Sequence, residues 1–239
     1  MVSPVPLNSA ITVLDDAHAA LPETIHVGVL VPWANAIVET ELPRLGLDSV
    51  VFHYARLVPA SRTTALDHRF LRELASAVPA SLEEMSRLPL VTTLLACTSA
   101  GFVEGEAISL PVASAFDALV ATLTRMLIDR IVLVAPYPHW LTAMEARAFR
   151  ERGIVVAAQS SLNRDDGYSR VSAAEIHRLI GQIDQTELAH AQAIVLSCTG
   201  WPTLSLLADF EDTFGMAVLS SNLAMAIHAV TRNEIGAVS

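Results

Sequence analysis

Lysine is missing from the 239-residue chain, whose 15 basic residues are all arginine. Schiff-base chemistry and the phosphate-cradling P-loop both need a lysine amine, so neither is available. Cysteine occurs only twice, too few for a multi-disulfide framework or a four-cysteine zinc site, and free intracellular thiols are the expectation. Charged residues make up 17% of the chain and the formal net charge is -10, a balance that offers little to nucleic acid phosphates or anionic lipid. The first basic residue is Arg44, so residues 1–24 lack the positive start of a signal peptide, and no apolar run reaches membrane-spanning length. A cytoplasmic protein that binds neither nucleic acid nor membrane is expected. The eight histidines form no HExxH motif, and neither a G-x-S-x-G elbow nor a G-x-G-x-x-G loop occurs, which removes support for metalloprotease, serine hydrolase and dinucleotide-binding classes.

What is present is apolar. With 52% hydrophobic residues, the chain can bury a large core, and its length suits one large or two small domains. Short runs rich in Val, Ile and Leu alternate with longer amphipathic segments, the pattern of parallel strands covered by helices. Strands are expected at 25–31, 50–56, 90–96, 130–135, 154–160, 193–197 and 217–220, with a short one at 111–113. Helices are expected at 36–45, 68–77, 81–87, 115–127, 138–152, 172–185, 203–213 and 223–231. The fold class is α/β.

The chain also resembles itself. VGVLVPWANAIVETELPRLG (27–46) and IVLVAPYPHWLTAMEARAFRERG (131–153) share the order strand, proline, aromatic, amphipathic helix. LPVASAFDALVATLTRM (110–126) and MAVLSSNLAMAIHAVTRN (216–233) form a second matched pair. Val27 to Val132 spans 105 positions, Cys97 to Cys198 spans 101 and Val112 to Val218 spans 106, so the halves are in register. Each half carries one cysteine at the carboxyl end of a strand, where open parallel sheets bind ligands. The expected organisation is a tail (1–24), a first lobe (25–114 with 221–239) and a second lobe (115–220), related by a pseudo-two-fold axis.

Both cysteines are followed by small residues, in ACTS (96–99) and LSCTG (196–200), whose amides and hydroxyls can turn toward an anion. A lone free cysteine is usually a small core hydrophobe; the repetition of the same setting in both halves favours chemistry. One sulfur as thiolate and the other as thiol make a nucleophile/acid or base/acid pair for opposite faces of one substrate.

The segments VPWANAIVETELPRL, HYARL (53–57), ACTS, APY (135–137), LSCTG and VLSSNLAMAIHAV (218–230) together resemble the aspartate/glutamate racemase superfamily, in the branch of maleate cis-trans isomerases and arylmalonate decarboxylases. The resemblance implies two α/β lobes with the active site between them, no metal or organic cofactor, and a small carboxylate substrate. It implies Cys97 and Cys198 as the catalytic pair, with Asn35, Thr98, Ser99, Tyr137, Thr199 and Gly200 as substrate-carboxylate contacts. Decarboxylases of this branch lack the first cysteine, so the resemblance places isomerisation of a maleate-like dicarboxylate first. Racemisation of an amino acid or hydantoin comes next, ahead of decarboxylation or binding without catalysis.

Three departures concern the pocket. Trp33 and Ala34 replace small hydroxyl residues before Asn35. Only 13 residues separate Cys97 from Pro111. The asparagine expected after the sixth strand has two candidates, Asn163 by type and Asp166 by spacing. Arg56 and Arg62 can add positive potential, and the segment 163–170 reads as an exposed loop that can cover the cleft. Apolar composition favours a homodimer or higher homo-oligomer.

Overall fold

The most apolar stretch of each half becomes the centre of a sheet. In the computed structural model, which describes residues 9–103, 106–107 and 110–231, a first helix α1 (Ser9–Ala19) leads into β1 (Ile25–Pro32), α2 (Val38–Glu41) and β2 (Val50–Leu57). The chain continues through α3 (His68–Met85), β3 (Leu90–Leu95), the short strands β4 (Phe102–Val103), β5 (Glu106–Ala107) and β6 (Ala113–Ser114), and α4 (Ala115–Arg125). The second half follows with β7 (Arg130–Ala135), α5 (His139–Glu151), β8 (Val155–Ser161), α6 (Ala173–Gly181) and α7 (Gln185–Ala189). It ends with β9 (Ala193–Leu196), α8 (Leu207–Phe214), β10 (Ala217–Ser220) and α9 (Ser221–Thr231).

Two parallel four-stranded sheets result, in the orders β2-β1-β3-β6 and β10-β9-β7-β8. Read from the other edge, the second sheet runs β8-β7-β9-β10, the same topology as the first with β1, β2, β3 and β6 matched to β7, β8, β9 and β10. That correspondence is the one the internal repeat predicts. The inner strands are buried on both faces, with Val27, Val29, Leu30 and Val31 of β1 and Ile131 to Ala135 of β7 solvent-inaccessible, as expected where helices cover both sides.

The twin helices α4 and α9, each following the fourth strand of its sheet, pack against one another. A capping box in which Ser114 and Asp117 satisfy each other's backbone amides starts α4. Almost every residue of α9 is buried, as its nearly continuous apolar sequence requires. Besides α4 it lies against α1, β3 and β10.

Three expectations are corrected. Residues 1–24, read as a tail, contain α1, whose Ala10, Leu14 and Ala17 are buried against α9 and β10. The helices expected at 68–77 and 81–87 are one helix that runs through Pro79. Pro79 lies on the exposed face, where a carbonyl deprived of its amide partner meets water. The helix expected at 36–45 is one turn of α-helix followed by a 3-10 turn at Leu42–Leu45, because Pro43 removes an amide donor. The β4–β5 hairpin in the span between Cys97 and Pro111 was not legible as strand. No helix of the described residues is long and apolar enough to cross a membrane.

Candidate active site

Each cysteine follows a buried strand by two residues. Leu95 ends β3 ahead of Cys97, and Leu196 ends β9 ahead of Cys198. The strand ends hold the two loops close together: the Thr199 hydroxyl donates to the Ala96 carbonyl at 2.7 Å, and the Asn35 amide donates to the Thr199 hydroxyl at 3.0 Å. Asn35 thereby joins the lobes while its Oδ1 accepts the Ile37 amide at 2.9 Å, holding the turn that leads into α2.

Both cysteines border one cleft with about 650 Å³ of empty space, its open mouth included. Asn35, Thr98, Ser99, Tyr137, Thr199 and Gly200 border it too, as do Asp166, Tyr168, Leu66 and Phe70. Two of the sequence-predicted residues do not. The Trp33 indole turns aside and donates to the Thr63 carbonyl at 3.1 Å. Asn163, in a left-handed conformation, spends its Oδ1 on the His139 amide at the start of α5. Asp166 reaches the cleft instead, with Oδ2 accepting the Thr64 hydroxyl at 2.9 Å. The 163–170 loop is pinned to the first lobe by this contact and by the Leu66 amide on the Asp165 carbonyl at 2.9 Å, which places Asp166 and Tyr168 over the cleft.

Arg56 and Arg62 do not border the cleft. Arg56 pairs with Glu39 and donates to the Trp33 and Asn35 carbonyls at 3.1 and 2.7 Å, bracing the Asn35 loop. Arg62 is exposed. Among the described residues bordering the cleft there is no arginine, lysine or histidine, and Asp166 is the one carboxylate.

The thiols are 8% and 4% exposed for Cys97 and Cys198. Burial raises Cys97, and the Ser99 hydroxyl, 3.5 Å away, opposes it with the Ser99 and Ala100 amides. Burial pushes Cys198 up to about 12, opposed by the Gly200 amide at 3.2 Å and the Tyr137 hydroxyl. The charge of Cys97 adds to the elevation of Cys198, so the sulfurs are within electrostatic reach of each other. Tyr137 is held well above its usual range, first by burial and then by Cys198, and it hydrogen-bonds the Thr98 hydroxyl. Tyr137 therefore connects the two cysteine loops. A side chain at Gly200 would enter this space, since its Cβ would lie 3.5 Å from the Cys198 sulfur and 3.8 Å from the Asn35 amide nitrogen.

Two acids escaped sequence reasoning. Glu41, buried at the end of α2, accepts the amides of Thr203 and Leu204 and the side-chain amide of Asn222, each at 2.7 Å. Asn222 also donates to the Thr199 carbonyl at 3.2 Å. At the start of α9 the Ser220 hydroxyl accepts the Leu223 amide at 3.2 Å. Glu145 of α5 is fully buried and accepts the Ser197 hydroxyl. Nothing in the amphipathic patterns of α2 and α5 distinguishes these acids from solvated ones.

With its two lobes of one topology, the chain falls in the aspartate/glutamate racemase-like superfamily. Within it, residues 102–239 match the model of the arylmalonate decarboxylase family, and the chain belongs to that family. It is 24% identical over 225 residues to a maleate isomerase of Alcaligenes faecalis, covering 83% of this chain and 87% of that protein. Its fold is similar to that of a maleate isomerase variant from Pseudomonas putida crystallised with maleate. The TM-score is 0.78 at 20% identity, over 89% of this chain and 93% of the other. A Nocardia farcinica maleate cis-trans isomerase variant with a covalently bound succinylcysteine intermediate gives 0.77 at 22% identity, over 89% and 93% of the two chains. An arylmalonate decarboxylase variant in liganded form gives 0.72 at 20% identity, over 87% and 93%.

Proposed function

We propose that the protein is a cofactor-independent cis-trans isomerase of a small unsaturated dicarboxylate of the maleate type. The observation that carries this reading is the meeting of Cys97 and Cys198, from equivalent strand ends of the two lobes, at one cleft. The maleate isomerases among its relatives support the substrate class.

Rotation about a carbon–carbon double bond is forbiddingly slow, so that bond must first become single. A thiolate donates its electron pair to one alkene carbon, and the displaced π pair takes a proton from the other sulfur at the adjacent carbon. After rotation, the second sulfur recovers a proton and the first leaves, restoring the double bond in the trans arrangement and both sulfurs to their starting forms. Cys97 suits the nucleophile, because the Ser99 hydroxyl and two amides favour its ionised form. Cys198, pushed up to about 12, suits the proton donor. With no cationic side chain among the described residues bordering the cleft, the substrate carboxylates are held by neutral donors: Asn35, Tyr137, Thr98, Ser99, Thr199 and the amides of both cysteine loops.

A two-cysteine racemase of an amino acid or hydantoin is the second reading, favoured by the near-equivalent placement of the sulfurs in the two halves. Proton NMR of maleate incubated with the enzyme is expected to show fumarate, whereas single enantiomers of aspartate and hydantoins are expected to keep their optical rotation. Cys97→Ala and Cys198→Ala are each expected to lower turnover by at least about a thousandfold, with circular dichroism unchanged. Retained turnover in either variant contradicts the proposal. A cytoplasmic homodimer belongs to the same proposal, and sedimentation equilibrium reads its mass.

A further inference from the structure

The thiol mechanism leaves one buried acid unused. Glu145 is fully inaccessible, its Oε1 accepts the Ser197 hydroxyl, and among the described residues its Oε2 has no hydrogen-bond partner. Ser197 immediately precedes Cys198, and its amide is fixed on the Val134 carbonyl at 2.8 Å, so the carboxyl stands directly behind the second sulfur's loop. An ionised carboxylate offers about four acceptor positions, and one hydroxyl satisfies few of them in a fully buried place; a carboxylic acid is better matched to this surrounding. Anions buried within reach of one another also oppose each other's formation.

We propose that Glu145, Cys97 and Cys198 share a single negative charge, so that a thiolate exists only while Glu145 holds its proton. Glu145 is then a positioning residue for charge: it limits thiolate reactivity in alkaline solution without touching substrate. The titratable groups that feel it are Cys97 after β3, Cys198 after β9 and Tyr137 before α5, each held up in part by the Glu145 charge. The other strands packed on α5 bring no charge, since β8 (Val155–Ser161) is uncharged throughout and β4 contributes Phe102. Burial pushes the Glu145 carboxyl up to about 8, against the opposing Ser197 hydroxyl. Coupled groups of this kind titrate as a set. Below that range, rising pH generates thiolate at the expense of thiol. Above it, the one charge is partitioned between carboxylate and sulfur in a fixed ratio, and reactivity levels off.

The proposal rests on the thiol chemistry proposed above, but its test needs no substrate. Iodoacetamide alkylation of Cys97 and Cys198, followed against pH by peptide mass spectrometry, is compared for the wild type, Glu145→Gln and Ser197→Ala. The wild-type rate is expected to level off above about pH 8. Glu145→Gln, which mimics the protonated acid, is expected to match the wild type near pH 6.5 and keep rising, reaching about tenfold the wild-type rate near pH 9, one pH unit above the plateau's onset. Ser197→Ala keeps the acid but removes the hydroxyl that favours its ionised form, so its plateau is expected to begin at higher pH. Superimposable profiles for wild type and Glu145→Gln overturn the proposal; if Glu145→Gln does not fold, an unshifted Ser197→Ala plateau overturns it. The expected alkylation profiles in a protein that leaves maleate untouched support the shared charge and defeat the isomerase reading alone.

Discussion

Among single residues, Asp166 and Glu145 show how an acid's surroundings decide what it does. Asp166 is exposed and borders the cleft, so its charge would oppose the proposed dianionic substrate. Screening limits its reach to about 8 Å at physiological salt. Asp166→Asn is therefore expected to lower KM for maleate by about two- to fivefold at low ionic strength, with the difference vanishing in high salt; an unchanged KM at low salt contradicts the placement. Glu145 affects stability as well. Its ordinary value is 4.5 and its folded value about 8, so between these pH values the folded protein holds a proton that the unfolded chain releases. Its contribution to stability falls as pH rises through that window and is level above it. The melting temperature of the wild type is expected to decline from about pH 5 to 8 more steeply than that of Glu145→Gln, and parallel curves contradict this. Asn35, Tyr137 and the residues around both cysteines were legible because they sit in short motifs at strand ends. Trp33 and Asn163 misled because adjacency in sequence does not fix side-chain direction: an indole hydrogen bond to Thr63 and a left-handed backbone turn both away.

Elements carry the site through their ends and their breaks. α2 ends in Glu41, which gathers three donors from the loop after Cys198 and from α9. Glu41→Ala leaves the Thr203 and Leu204 amides unpartnered, at about 1 to 3 kcal/mol each, and takes from Asn222 one of its two acceptors. A loss of at least about 3 kcal/mol in urea unfolding is expected, and a loss below about 1 kcal/mol contradicts the strut. In α3, Pro79 interrupts the ladder on the exposed face. Pro79→Ala is expected to stabilise the protein by about 1 to 2 kcal/mol, since a regained hydrogen bond and helix propensity outweigh the freer unfolded chain; a destabilised variant contradicts that. The sequence reading broke α3 at Pro79 because proline removes a helix amide; the helix continues because Phe70, Leu71, Leu74, Val78, Ser81 and Met85 keep one buried face across the break. It overlooked α1, although Ala10, Leu14 and Ala17 fall on one helical face, because the apolar residues there are small and few. The main strands were readable because each is a compact run of β-branched and aliphatic residues.

At the scale of the whole molecule, duplication creates the site. The matched strand orders of the two sheets bring equivalent strand ends to face one cleft, and the Asn35–Thr199–Ala96 chain of hydrogen bonds ties the lobes there. The repeat made this architecture legible, since register between halves survives in the spacing of apolar runs. The buried acids stayed hidden because burial of a polar group depends on which elements meet in space.

The most direct measurement is mass spectrometry of Cys198→Ser after incubation with maleate. With the proton donor weakened and the nucleophile intact, the peptide containing Cys97 is expected to gain the mass of one maleic acid. An unmodified Cys97, in a variant that still converts maleate to fumarate, would contradict the account.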